Sequence, residues 1–197
     1  MSVAARPDRG EATRDALLAA ARALFAEHGY AGVATEEVVR RAGVTRGALY
    51  HYFRDKQDLF RAVFEQTEAE IMQTIIARVE GLTDPMEELA VGVRAFLDAC
   101  GDPTLMRIGL RDAPGVLGWE EWREIGNRHG LSLVTGALGW AMDEGQIARG
   151  DVRTLAHLLL AALAEASLLI ASADDPRAAR EDVEGTLMLL LDGLRAG

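Results

Sequence analysis

The side chains best suited to a chemical task lie close together, in the segment TEEVVRRAGVTRGALYHYFRDK of residues 35–56. They include two kinds of cation, several hydroxyl and phenol groups and an imidazole. Groups of these types donate hydrogen bonds to phosphate oxygens and to the edges of bases in a duplex. Their density within so short a segment indicates a surface that binds a nucleic acid.

Two short helices separated by a tight turn are expected to carry these groups. Thr35 is predicted to cap a helix over residues 36–42, and Gly43 to stop it in a left-handed conformation. Thr45 is predicted to cap a second helix from Arg46 to Tyr52, whose Leu49 faces inward while its polar face stays free. That arrangement is typical of a helix-turn-helix, although a helical hairpin with a solvated polar face would give the same pattern.

The helix that follows adds a further cation. Asp55 can cap it, and Lys56, the only lysine in the chain, falls in its first turn. Free backbone amides and an ammonium group at one helix start favour a bound phosphate. Arg40 and Arg41 lie nearby, and they fit either a DNA-facing position or a solvated helix surface.

Residues 13–64 resemble the amino-terminal domain of the TetR/AcrR family of bacterial transcriptional regulators, most specifically in GVTRGALYHYFRDKQDLF, residues 43–60. The resemblance implies an all-α protein of about nine helices that acts as a homodimer on double-stranded DNA. It assigns phosphate contacts to Thr35, Thr45, Tyr50 and Lys56. It assigns base-facing positions to Arg46, Gly47 and His51, and Tyr52 could serve in either role.

The charge of the chain is unevenly distributed. Of the 197 residues, the first 60 hold nine Arg or Lys against eight Asp or Glu, whereas the remainder hold twelve against 23. The net charge of −10 therefore belongs to the part of the chain beyond residue 60. Acidic groups a few nanometres from a duplex are largely screened at physiological salt, so this acidity does not argue against DNA binding.

A soluble cytoplasmic protein is expected. The amino terminus carries Arg6 and Asp8 where a secretory signal needs an apolar run, and the single cysteine, Cys100, cannot form an intramolecular disulfide. The longest apolar stretch, residues 155–173, is interrupted by His157 and Glu165, so we interpret it as a buried helix and expect no membrane partner.

Two domains are expected, a DNA-binding head over residues 1–57 and a body for ligand binding and dimerisation over residues 58–197. Residues 1–12 are predicted to be a disordered arm, in which Arg6 and Arg9 could also enter a minor groove. Apolar spacing predicts a first helix over residues 14–28 and a long fourth helix from about residue 58 to residue 81. Later helices are expected over residues 84–99, 104–111, 119–144, 151–173 and 175–194, with a loop at residues 112–118.

The family resemblance also implies an inducer pocket inside the body, for a small molecule that the sequence does not identify. The candidate lining residues are Phe96, Cys100, Met106, Arg107, Arg111, Trp119, Trp122, His129, Leu133 and Trp140. An inward arginine or histidine would suit an anionic ligand, and a purely apolar cavity would suit a hydrophobic one. The same aromatic stripe could equally be ordinary core.

Both of the last two helices are apolar on more than one side, which indicates a second buried surface. Residues 187–191 are five consecutive apolar residues, more than one helical turn. A four-helix interface with a second copy would bury them, and so would coverage by the same chain. The predicted dimerisation residues are Leu155, Leu159, Ala162, Ala166, Leu169, Leu187, Leu190, Leu191 and Leu194.

The function most consistent with these features is that of a homodimeric repressor, released from an inverted-repeat operator by a small-molecule ligand. An activator or a ligand-independent regulator would have the same sequence features. A helical carrier or enzyme is a third class, but no metal-ligand pair, glycine-rich phosphate loop or nucleophile context stands out. We therefore expect no catalytic residues, no metal and no cofactor.

Overall fold

The computed structural model describes residues 9–195, and the regular secondary structure of this part is helical, with turns between the helices and one isolated bridge between Ile147 and Arg195. The helices are α1 (Arg9–His28), α2 (Thr35–Ala42), α3 (Arg46–Tyr52), α4 (Lys56–Val79), α5 (Pro85–Ala99), α6 (103–117), α7 (Trp119–Asp143), α8 (Val152–Ser172) and α9 (Pro176–Asp192). Within α6, a π-helical stretch, Met106–Asp112, is flanked by α-helical Pro103–Leu105 and Ala113–Leu117. The predicted all-α class is confirmed.

Aspartate side chains fix where most of the body helices begin. The carboxylates of Asp55, Asp84, Asp102, Asp151 and Asp175 accept hydrogen bonds from free amides in the first turns of α4, α5, α6, α8 and α9. Proline also occupies the first turn of α5, α6 and α9, where its missing N–H costs nothing. These local signals explain why the starts of these helices were predictable to within a few residues.

The three head helices share one core with the start of the body. Leu17 and Phe25 of α1 pack with Leu49 of α3 and Phe60 of α4, and the rings of Phe25 and Phe60 meet edge to face at 5.2 Å. The same cluster continues to Ile108 in α6 and to α7. Because apolar side chains fill the boundary, α4 and α6 hold the head against the body without a flexible linker.

A second core forms between α5, α7, α8 and α9. Leu97, Leu138 and Ala156 are fully buried in it. By length and composition α8 could also cross a bilayer, but its buried face, including Leu163 and Ile170, belongs to this core. On the opposite side of α8, Leu158 and Leu169 are exposed.

Several predicted boundaries were wrong. The first helix begins at Arg9 rather than residue 14, so residues 9–12 are helical rather than a disordered arm. Arg6 lies outside the described residues. Residues 112–117 form the end of α6 rather than a loop, because Pro114 sits in the first turn of its last α-helical segment, where proline is tolerated. The cap of α2 is Ala34, and Thr35 is the first helical residue.

Candidate nucleic-acid interface and internal cavity

The turn between α2 and α3 holds α3 at the surface with one face free. Gly43 has φ 68°, a left-handed conformation that ends α2, and its amide bonds back to Arg40 O. Thr45 then accepts a hydrogen bond from Ala48 N at 3.2 Å and starts α3. Leu49 is the buried residue of α3, so its burial fixes which side of the helix faces outward.

Arg46 and Tyr50 form the centre of the outward face. The Arg46 guanidinium lies 5.5 Å from the centroid of the Tyr50 ring and 3.3 Å from Glu36 Oε1 of α2. Hydrogen bonds from Thr35 and Arg46 lower the pKa of the Tyr50 phenol. Arg46 is thus oriented across α3 while its side chain stays 66% exposed. Gly47 and His51 are exposed on the same helix, and a β carbon at Gly47 would lie 3.9 Å from Thr45 Oγ1, an ordinary van der Waals contact.

Lys56 is held at the edge of this surface. Its Nζ lies 4.2 Å from the centroid of the Tyr30 ring, and partial burial lowers the pKa of the Lys56 ammonium. The ammonium therefore occupies a defined position at the start of α4, beside the amides of the first helical turn. Tyr52 is half-buried against the head core, with its ring 4.9 Å from that of His51.

An internal cavity of about 140 Å³ lies in the body between α4, α5, α6, α7 and α8. Most of its wall is apolar, including Ile71, Met72 and Leu160. Four predicted residues line it, namely Phe96, Cys100, Trp122 and Leu133. Trp122 is anchored by its Nε1, which donates to Gly109 O of α6 at 2.9 Å, so the indole forms a fixed part of the wall.

The other six candidates for the ligand site lie elsewhere and are corrected accordingly: Met106, Arg107, Arg111, Trp119, His129 and Trp140 are not part of the cavity wall that the described residues form. Arg107 turns towards the head instead, Arg111 is exposed, and Trp119 is 47% exposed at the start of α7. The π-helical stretch shifts the register of α6, so spacing along α6 did not identify its cavity face. Spacing along α7 did not identify its cavity face either, because an apolar stripe can face either the core or a cavity.

Glu68 of α4 is the most informative lining residue that the sequence reading missed. Burial raises the pKa of its carboxyl to about 7. Phe64, Glu68, Ile71 and Ile75 recur at helical spacing, and all four line the cavity. That spacing places an acid within an apolar helix face. An acid in such a position can be recognised in the amino-acid sequence, and it indicates a carboxyl that faces the interior.

Cys100 is an inert part of the wall. Burial, reinforced by the negative charge of Glu68, raises the pKa of its thiol to about 12. The thiolate is the reactive form of cysteine, so a thiol held in this state is a poor nucleophile. Cys100 therefore contributes shape and apolar surface to the cavity.

One helix touches both the cavity and the head. Leu105, Gly109 and Leu110 of α6 line the cavity. On the other side of α6, Asp112 Oδ2 accepts a hydrogen bond from Tyr30 N at 2.7 Å. The Arg107 guanidinium, 3.8 Å from the same carboxylate, lies against Gly29, where φ of 72° and the lack of a side chain make room for it. Displacement of α6 at the cavity would therefore reach the loop between α1 and α2.

An exposed apolar surface runs along α8 and α9. Leu158 and Leu169 of α8 are 63% and 52% exposed, and Leu189 and Leu190 of α9 are 74% and 57% exposed. Four residues predicted for dimerisation are instead buried in the chain's own core and are corrected: Leu159, Ala166, Leu187 and Leu191. Leu155, Ala162 and Leu194 are partly buried.

Comparison with known proteins finds two family models that match this chain. Residues 17–63 match the family model described as bacterial regulatory proteins, tetR family, and residues 86–194 match the tetracyclin repressor-like C-terminal domain. A crystal structure of a TetR-family transcriptional regulator from Pectobacterium atrosepticum superposes with a TM-score of 0.86 and 35% identity, covering 98% of this chain and 99% of that one.

Two curated relatives extend the comparison. The transposon Tn10 TetC protein of Escherichia coli is 29% identical over 149 residues, which are 76% of this chain and 75% of that protein. The HTH-type transcriptional repressor AcnR of Corynebacterium glutamicum is 39% identical over 75 residues, which are 38% of this chain and 39% of that protein. Relatives and domains alike are those of regulators and not of enzymes. With both domains matched, the chain belongs to the TetR family and is a transcriptional regulator with a helix-turn-helix DNA-binding domain.

Proposed function

We propose that this protein is a homodimeric repressor that leaves an inverted-repeat operator when a small molecule enters the body cavity. The observation that carries ligand control is the position of α6, which lines the cavity on one side and contacts the Tyr30 loop on the other. The repressor activity of the relative AcnR supports the direction of regulation. The partners are thus an operator duplex, a second copy of the chain and an unidentified inducer, in the cytoplasm.

In this proposal α3 enters the major groove. Arg46, Gly47 and His51 approach base edges, while the phosphates on either side are bound by Thr35, Thr45, Tyr50 and Lys56. Tyr52 supports the helix from its half-buried position. The exposed Arg46 guanidinium can make two parallel hydrogen bonds to a guanine, which is the commonest specific contact in such complexes. Its ion pair with Glu36 is solvent-exposed, so exchanging that partner for a base costs little.

Selection of binding sites from a random duplex library by the purified protein tests this proposal. An enriched inverted repeat is expected, with half-sites spaced by the distance between two recognition helices. Its affinity should fall steeply with salt because phosphate contacts release counterions. Folded protein that enriches no sequence would favour the carrier or enzyme alternative.

Arg46→Ala is expected to weaken binding to the selected operator by about 1 to 3 kcal/mol and to relax the preference at one base position in each half-site. The control is Lys56→Ala, which should weaken all duplexes similarly and reduce the salt slope by about one. Competition binding against single-base operator variants separates the two effects. Unchanged base preference in Arg46→Ala would remove this residue from base recognition.

The second copy is proposed to cover the exposed leucines of α8 and α9. Four large apolar side chains more than half exposed on two adjacent helices form the kind of patch that marks an interface. Small exposed residues beside them, Ala161 of α8 and Gly185 of α9, allow helices to approach closely. Two such pairs related by a two-fold axis would form a four-helix interface.

Ligand release is proposed to act through α6 and α4 together. A ligand can shift the protein only if it binds the released conformation better than the DNA-bound one. Filling the cavity displaces the wall formed by Leu105 and Gly109, and the contacts of Arg107 and Asp112 with the Tyr30 loop carry that displacement to the head.

Asp112→Ala should therefore uncouple ligand from operator. The Tyr30 amide loses its acceptor in this variant. The factor by which ligand lowers operator affinity is therefore expected to shrink by about five- to tenfold, which corresponds to the free energy of one hydrogen bond. Affinity for ligand in the absence of DNA should change much less. Fluorescence anisotropy with a labelled operator, with and without a releasing compound, measures the factor.

Asp102→Ala is the matched control for this experiment. It removes the cap at the start of α6, where Asp102 accepts from Thr104 N and Leu105 N, without touching the head. An equal loss of coupling in both variants would mean that general weakening of α6, rather than the contact with Tyr30, is responsible.

Activation of transcription remains the main alternative. It differs from repression in where the operator lies relative to a promoter, so mapping the selected sequence to its genomic position distinguishes the two. A ligand-independent regulator would bind the operator with the same affinity in the presence of every compound that enters the cavity.

A further inference from the structure

The Glu68 carboxylate faces the cavity. Among the described residues, no hydrogen bond or ion pair satisfies Glu68, although the acids on either side of it in α4 are paired. Glu65 binds Arg128 at 3.2 Å and Glu70 binds Arg22 at 2.5 Å. Glu68 is half-buried and faces the cavity, where desolvation raises its carboxyl pKa. A desolvated carboxyl without a partner is costly, and a binding site is a common reason for one to be present.

The space beside this carboxyl is open. A β carbon at Gly126 of α7 would lie 3.7 Å from Glu68 Oε2, and glycine leaves that position unfilled. Beyond it the wall is apolar, with Ile71, Met72 and Leu160. A ligand that reaches Glu68 is therefore surrounded by apolar surface on its other sides.

The remaining charged or titratable groups of the wall do not compensate Glu68. Cys100, which caps the end of α5, is a neutral thiol, and Glu88 of α5 is a second acid, whose carboxyl pKa is also raised by burial. The only cation among the lining residues described is Arg123 of α7, which is exposed. Among the lining residues that the structure describes, two acids therefore face one exposed arginine, and the cavity attracts positive charge.

We propose that Glu68 binds the ammonium group of a small amine whose apolar body fills the rest of the cavity, an inference that rests on the proposed role of this cavity as the ligand site. The cavity of about 140 Å³ limits the body in this conformation to about one ring, since a cavity of about 150 Å³ holds benzene. Glu68 is ionised when it pairs with the ammonium, and the ligand provides the charge partner that none of the described residues supplies.

The pH dependence of binding has a defined sign. Because the carboxyl pKa is about 7 in the empty cavity, much of Glu68 must lose a proton before it can pair with an ammonium. Affinity for an amine should therefore rise by about tenfold between about pH 6 and about pH 8. A neutral alcohol should show little change, and a carboxylate, which needs protonated Glu68, should bind more weakly as pH rises.

Three probes with the same ring test the inference: benzylammonium, benzyl alcohol and benzoate. Calorimetric titration into the full-length protein without DNA measures each affinity at both pH values. Benzylammonium is expected to bind tightest at the higher pH. Glu68→Gln should weaken it by about tenfold or more, since a charge pair is replaced by a neutral contact, and should leave benzyl alcohol within about twofold.

Glu65→Gln is the matched control, an acid of the same helix that pairs with Arg128 and is not part of the cavity wall described above. It should bind all three probes as the unaltered protein does. If benzyl alcohol binds but benzylammonium shows no advantage, or keeps its advantage in Glu68→Gln, the assignment to Glu68 is overturned while the cavity remains a ligand site. If none of the probes binds, both proposals fail.

Discussion

A variant in which Leu189 and Leu190 are both replaced by glutamate is expected to be monomeric and to lose about a hundredfold or more in operator affinity. These side chains are 74% and 57% exposed in the single chain, so the substitutions leave its own core intact. In a dimer the same positions would bury four uncompensated charges. Few interfaces tolerate that cost.

The loss of operator affinity follows from the loss of the second head. When two heads are joined, binding of the first places the second beside its half-site at a high effective concentration. A monomer gains none of this advantage, although each head keeps its recognition helix. Sedimentation velocity measures the oligomeric state, and titration with full and half operators measures the affinity.

Ile76→Glu is a suitable control, because Ile76 of α4 is 46% exposed but lies outside α8 and α9. It should remain dimeric and bind the operator normally. If the doubly substituted variant stays dimeric, the interface must lie on another surface and the exposed leucines need a different explanation.

Glu68→Gln is expected to raise the free energy of unfolding at about pH 8 by up to about 3 kcal/mol. The carboxyl pKa is raised from 4.5 to about 7 by burial, so the folded protein holds the proton more tightly than the unfolded chain does. Between pH 4.5 and about pH 7, the unfolded chain therefore binds fewer protons at this carboxyl than the folded protein does. The free energy of unfolding of the unaltered protein therefore falls as pH rises through that window.

Glutamine has no proton to lose, so the advantage of the variant should be small near about pH 4.5, grow towards about pH 7 and stay constant above it. Denaturant unfolding at fixed protein concentration measures it, since a dimer's stability depends on concentration. Glu65→Gln, which removes a partly exposed ion pair, should change the free energy of unfolding by less than about 1 kcal/mol. Equal stability of Glu68→Gln and the unaltered protein at both ends of the pH range would mean that the carboxyl is solvated or paired.

If Glu68→Gln both gains stability and loses its preference for the amine, then Glu68 lowers the stability of the protein, and its role in ligand binding explains why it is present. A gain in stability without any effect on binding would identify Glu68 as a buried acid with no such role. The two measurements are independent, because unfolding is measured without ligand and the titrations compare the affinities of different probes for the folded protein.

The amino-acid sequence alone determined the local features of this protein. The caps Thr45, Asp55, Asp84, Asp151 and Asp175 were readable because a cap involves only a side chain and amides two or three residues away. Gly43 and the helix-turn-helix segment were readable for the same reason. These signals were sufficient to predict the class of fold and the candidate DNA-facing surface, and the resemblance of residues 43–60 to a known family pointed to the same function.

Only the tertiary structure decided which apolar faces are turned towards the cavity, the core or solvent. Leu187 and Leu191 pack inward while Leu189 and Leu190 face outward, and consecutive leucines carry no local signal for that difference. The π-helical stretch of α6 likewise turned Arg107 towards the head rather than the cavity. Long-range packing of α4 against α5 and α7 buried Glu68. A side chain's burial depends on residues distant in sequence, and so the cavity and its lining could be identified only when the helices were assembled.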